Sequence, residues 1–241
     1  MSCELERLHQ RLDALADPDT ARTLSRFFKT GPREYGEGDR FLGVRVPVLR
    51  KLAREFQSLS LEAIETLLRS AYHEHRLLAL LLLVRAYERG DERQRQQIYR
   101  LYLDNTVHIN NWDLVDTSAE HIVGAHLSHR SHRPLTRLAR SRSVWERRIA
   151  MLATFHFVKR GEFQPTLEIA EMLLNDSHDL IHKAAGWMLR EVGKCDQSVA
   201  TRFLDTHYPH MPRTMLRYAI ERLPATARQR YLTTGQSRRP N

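Results

Sequence analysis

Apolar residues in this chain recur three and four positions apart almost from end to end, and alternating runs rich in valine, isoleucine and threonine are missing. That period gathers apolar side chains on one stripe of an α-helix and argues against a sheet-based core. Leu5, Leu8, Leu12 and Leu15 form the first stripe, closed by Asp17-Pro18. Leu24, Phe27 and Phe28 carry a second helix as far as Gly31-Pro32. Residues 31–46 (GPREYGEGDRFLGVRV) hold four glycines and predict the longest loop. Pro47 reads as the first turn of the next helix, where its missing N–H does no harm.

From there the chain divides into helix pairs whose first helices open near residues 47, 74, 110, 144, 178 and 212, the later intervals settling at 34. A period of this size is in the range of helical-repeat arrays. Weak self-similarity supports it in EHRLLALLLLVRAYERG (74–90), ERRIAMLATFHFVKRG (146–161) and IHKAAGWMLREVG (181–193). Each has basic residues near its start, an apolar body and a glycine stop. Such units bury their apolar faces on their neighbours. The expectation is an all-α, HEAT-like solenoid of stacked antiparallel helix pairs, curved, with one helix of each pair lining a basic concave face. It is a single domain over 1–234, with a disordered tail from Gly235 (GQSRRPN).

With 241 residues, 41% of them hydrophobic, the chain can bury a sizeable core. Its formal net charge is +9, and all but five of its 38 lysines and arginines are arginine. Arginine grips phosphate through a planar fork, so a polyanion such as double-stranded DNA is an expected partner. Biased codon usage would also enrich arginine, and composition alone leaves the two open. Cys3 and Cys195 are too few and too far apart for a disulfide framework. The first residues, MSCELERLHQRL, carry charge throughout, and the apolar run Leu77–Val84 is far too short to span a bilayer. The expected location is cytoplasmic. Histidine spacing shows no zinc motif; His126, His129 and His132 come closest and read as a solvated helix end. Neither a metal nor an organic cofactor is called for, and a monomer is expected.

Three clusters carry candidate chemistry. In NNWDLVDTSAEHIVG (110–124), Trp112 and Asp116 are four apart and share a helix face, while Asp113 sits at the helix start, where a carboxylate favours the dipole. VWERRIAML (144–152) places Arg147 and Arg148 early in a repeat helix. HKAAGWMLRE (182–191) sets Lys183, Trp187 and Arg190 about a turn apart. Trp145 lacks such company and reads as core. Three functions remain open on these residues: an enzyme acting on DNA, a module that binds DNA structure without cutting it, and a scaffold for other proteins.

The segments FLGVRVPVLRKL (41–52), NNWDLVD (110–116), VWERRIA (144–150) and GWMLRE (186–191) together resemble the AlkD-like DNA alkylation repair family, HEAT-like alkylpurine DNA glycosylases. The likeness runs over roughly residues 20–220. It implies that Asp116 is the catalytic aspartate, that Trp112 and Trp187 flank the lesion, that Arg148 grips the DNA backbone and that Arg190 adds a basic contact. Arg147, Lys183 and Arg45 join them as candidate DNA contacts. The implied substrate is duplex DNA carrying cationic N3- or N7-alkylated purines, cleaved without base flipping. Departures from the family pattern are Phe27 for a tyrosine, Arg45 for a glutamine, His156 for a basic residue and a longer loop at 31–40.

Overall fold

The computed structural model describes residues 3–234, and its described residues contain helices, turns and a single isolated bridge between Arg40 and Tyr72. The tail expected from residue 235 lies outside the described residues. The helices gather into two compact units, one ending at His126 and the other beginning at Leu127.

The first unit holds α1 (Cys3–Asp13), α2 (Pro18–Phe27), α3 (Val46–Glu55), α4 (Leu61–Leu68), α5 (His73–Arg89), α6 (Glu92–Asp104) and α7 (Trp112–Ala119). Leu5, Leu8 and Leu12 are buried as their spacing predicts, but α1 stops at Asp13 and leaves Leu15 40% exposed. Asp17 ends the turn and caps α2, its carboxylate accepting from the Asp19 amide. Ser60 and Asp91 cap α4 and α6 in the same way. Helix α5 is the axis of the unit and packs on α3, α4, α6 and α7. Leu77, Leu78, Leu80, Leu82 and Leu83 are all at most 3% exposed. Burying each one stabilises the fold by roughly 1.5–3 kcal/mol before entropy is counted. After α7 the chain makes a π-helical turn, Glu120–Gly124, and runs into the short α8 (Ala125–Leu127).

The second unit holds α9 (Arg133–Ala139), α10 (Val144–Ala153), α11 (Phe155–Val158), α12 (Gln164–Met172), α13 (Asp179–Cys195), α14 (Gln197–His207), α15 (Arg213–Ala219) and α16 (Ala225–Thr234). Here α13 is central, packing on α10, α12, α14 and α15. Its contact with α15 depends on Gly186, where a Cβ would fall 2.4 Å from the Met215 carbonyl oxygen and 2.5 Å from Tyr218 Cβ.

The repeat is plain within each unit. The leading helices contact one another in series, α3 with α5 and α5 with α7, then α10 with α13 and α13 with α15. They open at residues 46, 73, 112, 144, 179 and 213, within two positions of the expected starts. The protein has an all-α helical-repeat fold. No described helix is long and apolar enough to cross a membrane.

Candidate functional site

Helix α7 is set by its start. Asn111, fully buried, turns its side-chain oxygen to the Trp112 amide (2.8 Å). Leu114, Val115, Ser118 and Ala119 then face inward, which leaves Trp112 and Asp116 together on the half-buried side. Behind them, Ser118 Oγ donates to the Leu114 carbonyl (2.6 Å) and lies 3.0 Å from the Tyr102 hydroxyl. Burial, aided by the nearby Asp116 carboxylate, pushes the Tyr102 phenol above its ordinary range. The phenol therefore stays a neutral partner for Ser118. The π-turn follows directly, a departure from α geometry often found beside functional residues.

Trp112 borders a largely apolar cleft of about 340 Å³ within the first unit. Phe28 stacks on its indole (5.4 Å, 27°), and Phe27 meets it edge-on (5.9 Å, 70°). Phe27 is 61% exposed, high for so large an apolar side chain. Arg45, also exposed, lines the cleft from the start of α3. Thus Trp112, Asp116, Phe27 and Arg45 all belong to the first unit, with Trp112, Phe27 and Arg45 at one cleft.

Sequence reasoning missed the polar system beneath that cleft. His73 Nδ1 lies 3.0 Å from Asp39 Oδ2, and His73 Nε2 lies 2.8 Å from Asp113 Oδ2. Asp113 therefore has two tasks: its other oxygen accepts the Leu114 amide (2.9 Å), as its place at the helix start predicts. Arg76 donates to Asp39 Oδ1 (2.6 Å), and Asn111 donates to Asp39 Oδ2 (3.3 Å). Burial works against the Asp39 charge, but His73 and Arg76 outweigh it and hold its carboxyl below the usual range. Glu74 turns the other way and accepts the amides of Leu42, Gly43 and Val44 (2.9, 2.8 and 3.2 Å). One signal was available: HEHR at 73–76 places four ionisable residues in succession at the head of an apolar helix. All four are buried.

The remaining candidates belong to the second unit. Arg147 makes a two-point contact with Asp176 (Nε–Oδ2 2.5 Å, Nη2–Oδ1 3.3 Å) and also donates to the carbonyls of Ser141 and Arg142. Arg148 is 5% exposed and donates to the Leu180 carbonyl (2.6 Å). Lys183 pairs with Asp179 (2.7 Å) one turn back on α13. The Trp187 indole donates to Glu191 (3.0 Å) and tilts against Phe155 (5.9 Å). Arg190 pairs with Glu221 and reaches Glu191. Trp145 is core, 9% exposed, as its isolation predicts. His156 meets Phe157 edge-on. The histidine triplet differs from expectation: His126 is 2% exposed, stacked on Tyr99 (4.0 Å) and 3.3 Å from the Tyr87 hydroxyl. It is a core residue rather than part of a solvated helix end.

A solved structure described as a predicted DNA alkylation repair enzyme from Enterococcus faecalis has the same fold, with a TM-score of 0.68. It is 17% identical over 87% of this chain and 97% of its own, so the likeness speaks to fold alone. No curated protein matches the sequence significantly. The sequence profile of the family described as DNA alkylation repair enzyme matches residues 8–223, nearly the whole chain. On that match, this protein belongs to the DNA alkylation repair enzyme family.

Proposed function

We propose that this protein is a monofunctional DNA glycosylase that hydrolyses the N-glycosidic bond of cationic N3- or N7-alkylated purines in duplex DNA. Membership of the family supports a role in repairing alkylated DNA. The observation that carries the glycosylase chemistry is the pairing of Trp112 and Asp116 on the half-buried face of α7, with the indole braced by Phe28.

An alkylated purine with a positive ring is already a good leaving group, so the demand falls on the sugar. As the C1′–N bond lengthens, the deoxyribose gains oxocarbenium character, as in glycoside hydrolysis. The Asp116 carboxylate stabilises that charge and orients a water for attack at C1′. The bond electrons pass to the base, which leaves neutral, while the water's proton passes through Asp116 to solvent. An indole face beside the cationic base adds roughly 0.5–2 kcal/mol of cation–π attraction. Arg45 in the first unit, and Trp187, Lys183, Arg190 and Arg148 in the second, are the proposed contacts to DNA. Neither Lys183 nor Lys194 is assigned as an amine nucleophile, so strand cleavage by a lyase step is not expected. Selection rests on the lesion's own charge rather than on a flipped-base pocket, so neutral hypoxanthine should be released far more slowly than 7-methylguanine.

The test is single-turnover release from a duplex with one 7-methylguanine, comparing wild type with Asp116→Asn. A loss of two decades or more, with DNA affinity kept, supports the assignment. Salt-dependent binding by the wild type without release of 7-methylguanine or 3-methyladenine would overturn it in favour of a DNA-binding module.

A further inference from the structure

The ring of His73 is 2% exposed and lies between carboxylates from two different elements: Asp39 in the loop before α3 and Asp113 in the first turn of α7. An imidazole with a carboxylate at each nitrogen satisfies both only when both nitrogens carry protons. Two aromatic rings, themselves stacked on each other at 5.3 Å, also pack against it. Phe41 stacks on it at 4.7 Å (21°), and Phe28 lies against it at 4.8 Å (33°). Phe28 is the ring that stacks on Trp112. A chain of direct contacts therefore runs from His73 to the indole by two routes, through Asp113 in the same helical turn and through Phe28.

We propose that the His73 imidazolium is a positioning residue for Trp112, tying the glycine-rich loop to the head of α7 and fixing the indole where the alkylated nucleotide is to lie. The idea rests on the glycosylase reading for its consequence in catalysis, but not for the coupling itself. The charged groups around His73 are Asp39 from the loop, Asp113 from α7, and Arg76 of its own helix, which is bonded to Asp39. Glu74 and Arg45 line the same cleft. Burial alone would strip the proton from His73, but the hydrogen bonds and charges of Asp113 and Asp39 outweigh it and hold its pKa at about 9. The imidazolium is the form present at neutral pH.

The experiment uses the full chain labelled with 15N. Its three tryptophan indole signals and the histidine ring nitrogens are followed from about pH 6 to 10. Trp112 is assigned by the loss of its signal in Trp112→Phe. The expected result is a His73 ring with two protonated nitrogens at neutral pH and a Trp112 signal that moves with the His73 titration, midpoint about 9. The Trp145 and Trp187 signals should ignore that step. In His73→Gln, the Trp112 signal should be displaced at neutral pH and no longer respond. Release of 7-methylguanine should slow about ten- to a hundredfold with half-saturation unchanged, as misplacement of a positioned group does. A His73 ring with one proton at neutral pH, or a Trp112 signal indifferent to its titration, overturns the proposal. If His73→Gln does not fold, the wild-type titration decides alone. If wild type releases no base, the glycosylase reading fails while the coupling is still decided by the spectra.

Discussion

The Oε1 atom of Glu74 lies 2.8 Å from the amide nitrogen of Gly43, a bond that joins the head of α5 to a loop 31 residues earlier. Gly43 has φ +88°, and a Cβ there would fall 2.1 Å from the Asp17 carbonyl oxygen, so only glycine allows the loop to come this close. Glu74 serves three such amides and is 2% exposed. Glu74→Ala should therefore cost about 3 kcal/mol, because buried donors lose a charged acceptor. Thermal unfolding should show a melting temperature lower by roughly 6–12 °C. A change below about 2 °C would mean that the loop holds itself.

Gly186→Ala tests the second unit. Alanine favours a helix by about 1 kcal/mol over glycine. Here that gain is outweighed, since the added methyl meets the Met215 backbone at 2.4 Å and α15 must move back. A net loss of about 2 kcal/mol in urea unfolding is expected, with helix content by circular dichroism unchanged. A stabilised variant would show that α15 yields freely.

Two histidines two positions apart should give stability opposite slopes with pH. His73 is held protonated, its pKa raised from 6.5 to about 9. Its contribution is complete below pH 6.5 and fades as pH climbs through 9, by up to about 3 kcal/mol. Burial, with His9 beside it, lowers the pKa of His75 to about 4. Its neutral ring favours the fold above pH 6.5, and that share is lost as pH falls towards 4. Urea midpoints should thus peak near pH 6.5. His73→Gln should remove the alkaline decline, and a decline that persists would assign it to another group.

Arg147→Ala separates a structural cation from a DNA contact. Its side chain is 15% exposed and that of its partner Asp176 6% exposed. Removing it leaves a buried carboxylate without its cation, holding the His178 amide, at a cost of about 3 kcal/mol. The expected result is a lower melting temperature with an unchanged salt dependence of DNA binding. A log–log slope reduced by about 0.9 would instead show that Arg147 holds a phosphate, as expected of a candidate DNA contact.

Local chemistry decided what could be read from the sequence. Helix starts near 46, 144 and 179 follow from apolar period and, for the first, Pro47, all contained within a few residues. Trp112 and Asp116 share a face because a helix brings residues four apart together, wherever the helix is placed. The Asp39–His73–Asp113 system was not legible, since its bonds span 34 and 40 residues and depend on how a glycine-rich loop closes. The partner of Arg147 lies 29 residues away for the same reason. His126 was misread because its environment is made by Tyr87 and Tyr99, residues of other helices.

The π-turn at Glu120–Gly124 adds a residue to one turn of a helix that otherwise advances about 100° per residue. Ala125 and His126, which follow it in the same unit, are rotated relative to a ruler laid along α7. Anyone redesigning this stretch by counting in threes and fours from Trp112 would arrive on the wrong side of the rod by the time His126 is reached. The offset also offers a practical handle: shortening the turn by one residue would re-index Ala125 and His126 against Asp116 without altering either side chain.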